Sequence, residues 1–140
     1  MKFKQYINEL FDTKVDVEVV KERPNHCIYS FTIKGLKYKF SGEFMRDMNN
    51  IGEWQLMFVS DMGLGITGSG NALQVFAAVG KCIDMFLKKY KPERFAFTAK
   101  EESRKKLYLK MSKLITKKYP YVYRTEGEYK DDEVYIFTRK

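Results

Sequence analysis

Hydrophobic and polar residues alternate along much of the first half of the chain, and this pattern predicts β-strands. The clearest case is the stretch 36–44, where Tyr38 and Phe40 fall on one side and Lys37 and Lys39 on the other. Such alternation indicates an antiparallel sheet with one covered face. Three more strands are predicted at 15–20, 27–33 and 54–60. The last of them is almost entirely apolar, which suits a central strand.

Apolar residues in the second half recur every three or four positions, which predicts helices. The first long helix is predicted over 71–89, and a short amphipathic helix fits 2–11. A second long helix is predicted to end near Lys118 and to open at Thr98-Ala-Lys-Glu101, which has the form of a capping box. The polar side of the first long helix is predicted to be Gln74, Lys81, Asp84 and Lys88.

A strand at 94–98 separates the two long helices, and a hairpin of strands 121–125 and 133–138 follows them. Strand, helix and strand within this length imply a right-handed parallel crossover. We therefore predict a single α/β (α+β) domain over residues 1–140. Its core is one mixed, mostly antiparallel sheet with a central parallel crossover and helices on both faces.

Four glycines lie in the segment 61–72, where the fourth strand gives way to the first long helix. Glycine allows a positive φ and a close approach of the backbone to another group. The amides and the positive dipole end of the following helix favour an anion. The segment is therefore either a cradle for a phosphate or pyrophosphate, or a plain turn whose glycines only connect two elements. The four glycines are Gly63, Gly65, Gly68 and Gly70.

The net charge of +8 is concentrated in one part of the chain. Residues 81–124 contain 14 Lys and Arg against 4 Asp and Glu, whereas residues 1–80 are balanced. A one-sided charge of this kind attracts polyanions such as nucleic acid, an acidic protein or a nucleotide. It is equally the composition of a solvated lysine face. The charged stripe predicted on the second helix consists of Lys106, Lys110, Lys113 and Lys117.

The two cysteines and the single histidine predict no metal site. Cys27 and Cys82 fall in a predicted strand and a predicted helix, without the spacing of metal ligands, and suit buried, reduced thiols. His26 stands alone near the start of a strand. The chain has no apolar run that could span a bilayer and no apolar leader at its start. We therefore expect a cytoplasmic protein with no membrane partner.

The segments that join these elements resemble the GNAT family of N-acetyltransferases. Gly68-Ser-Gly70, with Asn71 and Ala72 opening the helix, takes the place of the turn that holds the pyrophosphate of acetyl-coenzyme A in that family. The resemblance implies backbone amides as donors, with Arg104 as a nearby cation. Leu107-Tyr108 looks like the family's Leu-Tyr pair, which makes Tyr108 the candidate acid for the departing thiolate. A core aromatic is the other interpretation of Tyr108.

The general base implied by the resemblance is a carboxylate near the fourth strand. Asp61 is best placed, at the strand end beside the glycines, and Glu53 and Glu43 are further candidates; each also suits a solvated charge. Two departures from the family stand out. Gly65 occupies a position where the family has Arg or Gln. The two helices that build the family's acceptor pocket are missing between the first two strands.

A second resemblance is to small proteins of tailed bacteriophages, and it assigns no activity. It is carried by Thr67-Gly-Ser-Gly70, then Val75-Phe-Ala77, then Ser103-Arg-Lys-Lys-Leu-Tyr108. The function implied by the first resemblance is an N-acetyltransferase-like protein that binds acetyl-coenzyme A and acts on an amine. The alternative is a non-catalytic basic protein, encoded by a phage and acting in the host cytoplasm, that binds nucleic acid or an acidic host protein. Four tyrosines could then stack on bases if they face outward: Tyr119, Tyr121, Tyr123 and Tyr135.

Overall fold

A computed structural model describes residues 16–60, 72–99, 102–127 and 133–140 of the chain. In these residues the chain forms seven strands and two helices. The strands are β1 (Glu18–Arg23), β2 (His26–Ile33), β3 (Leu36–Arg46), β4 (Gly52–Ser60), β5 (Arg94–Ala99), β6 (Tyr121–Gly127) and β7 (Glu133–Arg139). The helices are α1 (Ala72–Tyr90) and α2 (Glu102–Lys118). The helix predicted at 2–11 lies outside the described residues.

The strands form one sheet in the order β1-β2-β3-β4-β5-β7-β6. At its centre β4 and β5 run parallel, with Trp54 opposite Phe95 and Leu56 opposite Phe97. The pairs β1–β2, β5–β7 and β6–β7 are antiparallel. The predicted fold class is therefore confirmed: a mixed, mostly antiparallel sheet whose parallel strands are joined through a helix. The final strand β7 lies between β5 and β6, so the hairpin folds back into the sheet.

The first hairpin differs in detail from the prediction, because β1 begins at Glu18 and continues to Arg23. Arg23 pairs directly with His26, which leaves a two-residue turn at Pro24 and Asn25. The register shifts between Val19 and Lys21, where a bulge interrupts the ladder. Among the described strands β1 lies at one edge of the sheet, and a bulge in an edge strand disfavours its pairing with other chains.

The capping box predicted at the start of α2 is wrong. Thr98 pairs with Val134 and Ala99 with Glu133, so both residues belong to the extended ladder of β5. The helix begins at Glu102. The N-cap directly precedes the first helical residue, and Thr98 lies four positions before Glu102 in a sheet ladder, so Thr98 does not cap the helix.

The chain divides into two compact units, and the first includes the described residues 16–41 and 58–91. Its core is a row of aromatic rings contributed by three strands. The ring centroids of Phe31 and Tyr38 are 5.2 Å apart, and those of Tyr38 and Phe58 are 5.7 Å apart. Helix α1 packs on this row through Phe86, whose ring centroid lies 6.3 Å from that of Phe40. Large rings bury much apolar area each, and this burial helps to hold the helix on the strands.

One position of α1 contradicts the predicted polar side. Asp84 is only 6% exposed, although Gln74 and Lys88 on the same predicted side are exposed. Its carboxylate lies 3.0 Å from the ammonium group of Lys88, one turn later along the helix. Burying a carboxylate costs much free energy unless a cation pairs with it. Lys88 supplies that cation from the solvent side.

The second unit includes residues 42–57 and the described part of 92–140. Its sheet is apolar on both faces. Phe95 stacks on Phe137 at 4.6 Å between centroids on one face, while Ala96, Val134 and Ile136 form a buried cluster from the alternate positions. Burial on both faces is what an interior pair of strands requires. Neither helix in the described ranges combines the length and the apolarity needed to cross a membrane.

Candidate functional site

The glycine segment itself lies outside the described residues, and so do Asp61, Gly68, Ser69, Gly70 and Asn71. Their roles therefore stay predictions. What the structure does show is the element that follows, because α1 begins at Ala72, within one residue of the predicted start. The first turn of α1 contains no acidic residue, whereas its last turn carries Lys88 and Lys89. The positive end of the helix dipole is therefore not neutralised by a carboxylate in its own first turn.

Tyr108, the candidate acid, lies in an aromatic cluster on the second unit's core. The residue is 6% exposed, and its ring centroid is 4.8 Å from that of Phe97 and 6.3 Å from that of Tyr135. The hydroxyl group of Ser112 donates a 2.7 Å hydrogen bond to the backbone carbonyl of Tyr108. These contacts fix the ring on the apolar side of α2. The ring contacts are those of a core aromatic, and the catalytic role of Tyr108 stays a prediction.

Glu53 is engaged in a polar cluster at the start of β4, the opposite end of that strand from the glycine segment. One carboxylate oxygen lies 3.4 Å from Nε of Arg94, close enough for an ion pair but not aligned as a hydrogen bond. The other accepts a 3.1 Å hydrogen bond from the Gln55 side chain. Glu43 is an exposed residue of β3. The general-base role of Asp61, Glu53 and Glu43 stays a prediction.

The charged stripe predicted on α2 is exposed in the part of the chain that the structure describes. Lys110, Lys113 and Lys117 point to solvent, while Tyr108, Met111, Ser112, Leu114 and Ile115 are buried. We call Lys110, Lys113 and Lys117 the lysine face. The helix also includes Arg104 and Lys106, whose side chains lie outside the described part. No described carboxylate forms a salt bridge with Lys110 or Lys113.

The tyrosines that could stack on bases if they faced outward point mostly inward, so that condition is not met. Tyr121 is 3% and Tyr135 2% exposed. Tyr123 is half-buried, and its ring stacks on Phe137 at 5.5 Å between centroids. Tyr119 is half-buried, with the ammonium group of Lys118 5.7 Å from its ring centroid. These rings are held by the protein itself.

A polar cluster that the sequence reasoning missed joins β1, β2 and the end of α1. The Tyr29 hydroxyl donates a 3.0 Å hydrogen bond to Glu22, and the ammonium group of Lys89 lies 3.6 Å from the other oxygen of that carboxylate. The Tyr90 hydroxyl donates to the carbonyl oxygen of Arg23 at 2.7 Å. Burial raises the pKa of Tyr29 and raises that of Tyr90 to about 12. The cluster fastens the helix end to the edge hairpin.

The two cysteines are buried free thiols, as predicted. Neither Cys27 nor Cys82 is accessible to solvent. Burial, reinforced by the nearby Cys27, raises the pKa of the Cys82 thiol to about 12. A thiol with such a pKa is protonated at neutral pH and is a poor nucleophile, because the thiolate is the reactive form.

No family model matches the chain, and no curated protein matches it. Among solved structures, the chain is similar to the crystal structure of an acetyltransferase of the GNAT family from Streptococcus pneumoniae. The two are 14% identical, the similarity covers 83% of this chain and 67% of that chain, and the TM-score is 0.38. The fold class of this chain is established by its strand order and by the helix that connects β4 to the parallel strand β5.

Proposed function

We propose that the chain binds acetyl-coenzyme A at the start of α1 and transfers the acetyl group to an amine. The observation that carries the proposal is the β4–α1–β5 crossover, whose helix has no carboxylate in its first turn. In open sheets that contain parallel strands, ligands bind beyond the carboxyl ends of those strands. The unneutralised helix start suits the negatively charged pyrophosphate of the ligand.

Binding would use the backbone amides of the segment that leads into α1. Gly68, Ser69, Gly70 and Asn71, together with Ala72, would donate hydrogen bonds to the pyrophosphate. Glycine at two of these positions would allow the phosphate oxygens to approach the backbone closely. Arg104, near the start of α2, is the additional cation in this proposal.

The chemistry needs one proton removed and one supplied. The thioester supplies the acetyl group. Asp61 would take the proton from the acceptor amine as its nitrogen bonds to the carbonyl carbon. Tyr108 would give a proton to the sulfur as the carbon–sulfur bond breaks. The cytoplasmic location and the phage origin expected from the sequence remain proposals beside this one.

Isothermal titration of the full chain with acetyl-coenzyme A tests the proposal directly. We expect saturable binding that is lost in Gly70→Val, because a β-branched side chain blocks close approach of the pyrophosphate. Gly127→Val is the matched control, since a Cβ at Gly127 in β6 meets no atom within 4 Å. Absence of binding to the unmodified chain at millimolar ligand contradicts the proposal. Equal binding by both variants would place the cradle elsewhere.

A further inference from the structure

The exposed side of α2 carries charges of one sign. Of the described residues on this side, Lys110, Lys113, Lys117 and Lys118 are basic, and Leu109, 39% exposed, is the large apolar one. From Glu102 to Lys118 the helix has one acidic residue, Glu102 itself, in its first turn. Lys113 and Lys117 are four residues apart, and Lys110 and Lys113 are three apart. Side chains at these spacings are neighbours on a helix, so their like charges repel.

This repulsion points to a ligand that carries the opposite charge. An exposed helix gains stability when opposite charges alternate along one face, and α2 forgoes that gain at Lys110 and Lys113. Lys110 and Lys113 have no salt-bridge partner among the described residues. A polyanion lying on the helix would relieve the repulsion and turn it into attraction.

The composition of the face favours a phosphate backbone over an acidic protein. Protein interfaces are enriched in aromatic residues, Met and Arg around a desolvated core, and they are depleted in Lys. The lysine face has the opposite composition, and its only large apolar neighbour in the described part of α2 is Leu109. Lysines act as point charges on flexible stems, which suits contacts with phosphates without reading the bases.

The geometry favours a duplex over a single strand. Single strands are bound by grooves in which aromatic rings stack on successive bases. Here the nearby rings of Tyr121 and Tyr135 are buried, and that of Tyr123 stacks on Phe137. The lysine face spans about 10 Å along the helix axis from Lys110 to Lys117, at 1.5 Å per residue. Phosphates of one DNA strand follow each other every 3.4 Å or so along the duplex axis, so about three lie within that span.

We infer that the lysine face of α2 is a docking surface for the phosphate backbone of double-stranded nucleic acid, bound without sequence preference. The inference is independent of acetyl-coenzyme A binding. Neutralising about three phosphates gives a slope near −2.7 for the logarithm of the association constant against the logarithm of salt concentration. The affinity then falls about 40-fold between 50 and 200 mM salt.

The test is fluorescence anisotropy of a labelled 24-base-pair DNA duplex titrated with the full chain between 50 and 200 mM NaCl. The variant K110Q/K113Q removes two charges from the lysine face. The matched control, K37Q/K39Q, removes two exposed charges from β3 and leaves the same net charge. We expect the slope to flatten by nearly 2 in the helix variant and to stay unchanged in the control. Both variants replace exposed lysines by a neutral residue of similar size, and circular dichroism verifies their folding.

Four outcomes overturn the inference. Equal losses in the two variants would show attraction by net charge alone. No binding of the duplex at 50 mM salt would show that the lysine face is not a docking surface for nucleic acid. Tighter binding of a single strand than of the duplex would exclude the proposed ligand form. Displacement of the duplex by polyglutamate at equal charge concentration would identify an acidic protein as the partner.

Discussion

The hydroxyl group of Tyr121 donates a hydrogen bond of 2.5 Å to the carbonyl oxygen of Pro92. This contact joins the first residue of β6 to the short connection that precedes β5. Two backbone hydrogen bonds lie around it: the amide of Arg139 donates to Glu93, and the amide of Lys140 donates to Pro120, both at 2.9 Å. One end of the second unit is therefore fastened by polar contacts from three separate parts of the chain.

Tyr121→Phe should destabilise the protein by about 1 to 2 kcal/mol, because the buried carbonyl of Pro92 loses its donor while the ring still packs against Phe95. Tyr123→Phe, on the same strand, should change stability by less than about 0.5 kcal/mol. Urea unfolding followed by circular dichroism measures both. Equal losses would mean that the Tyr121 hydrogen bond contributes nothing of its own.

Stability should fall as the pH rises from about 9 to about 12. Burial raises the pKa of the Cys82 thiol from 9.0 to about 12, so in this range the unfolded chain has lost a proton that the folded chain keeps. Unfolding is therefore favoured by about 1.4 kcal/mol per pH unit for each such group. Tyr90, with its pKa raised to about 12, adds to the loss above pH 10.

Urea unfolding of the reduced protein between pH 8 and 11 measures this dependence. Cys82→Ala should be less stable at pH 8 because of the cavity it creates, yet its stability should fall less steeply between pH 9 and 10. Parallel curves for the two proteins would show that Cys82 does not titrate with folding.

Alanine should destabilise the protein at Gly52 but not at Gly127. A Cβ at Gly52 would collide with the ring of Phe44, which already packs edge-on against Trp54. Gly52→Ala should therefore cost about 1 to 2 kcal/mol, and the additional change Phe44→Leu should recover part of that loss. Gly127→Ala meets open space and should be neutral or stabilising by up to about 1 kcal/mol, because alanine restricts the unfolded chain. Thermal unfolding of the three variants measures the difference, and a shared sign would contradict the prediction.

Lys113→Glu should stabilise the free protein while weakening duplex binding. The new carboxylate lies one turn before Lys117, in the favourable order for an i,i+4 pair, and the repulsions of residue 113 with Lys110 and Lys117 become attractions. The expected gain is about 0.5 to 1 kcal/mol at low salt. It should disappear at 0.5 M NaCl, where charges are screened, which provides an internal control. A variant that is both less stable and equally able to bind DNA would contradict the account of the lysine face.

Tyr108→Phe separates the two roles considered for Tyr108. The change keeps the ring contacts with Phe97 and Tyr135 and removes only the hydroxyl group. If Tyr108 supplies the proton, acetyl transfer to an amine should slow by about 100-fold or more, while the affinity for acetyl-coenzyme A stays the same. A purely structural ring would leave the transfer rate unaltered. Release of the free thiol and isothermal titration give the two readouts.

The fold class was predictable from sequence because local periodicity determines it. Alternation in β3 and the three-to-four spacing in α1 each arise from which side chains face the core, and the order of these elements implies the crossover. The position of β7 was not accessible in this way. The hairpin pairing of β7 with β6 was predicted and is confirmed, whereas the pairing of β7 with β5 depends on contacts between distant parts of the chain, which no local pattern encodes.

The errors at single residues have the same physical origin. Strand periodicity places Tyr121 and Tyr123 on one face of β6, but it does not say whether that face is covered. The packing of α2 decides that question, and both rings turn out to pack inward. The error at Asp84 has the same cause. A charged side chain is predicted to be exposed, and only the structure shows that Lys88 pairs with this buried carboxylate. For the candidate site, the sequence predicted the helix start at Ala72 correctly to within one residue. Whether the amides of the glycine segment bind a pyrophosphate is tested by the titration with acetyl-coenzyme A.

The placement of β7 has a consequence for synthesis of the protein. During translation β5, α2 and β6 all leave the ribosome before the strand that connects them in the sheet. Until β7 emerges, the edges of β5 and β6 that will pair with it have no partner, and the aromatic rings beside them are exposed to water. A pause at that stage would leave an aggregation-prone intermediate. We therefore expect a chaperone to protect the second unit during synthesis.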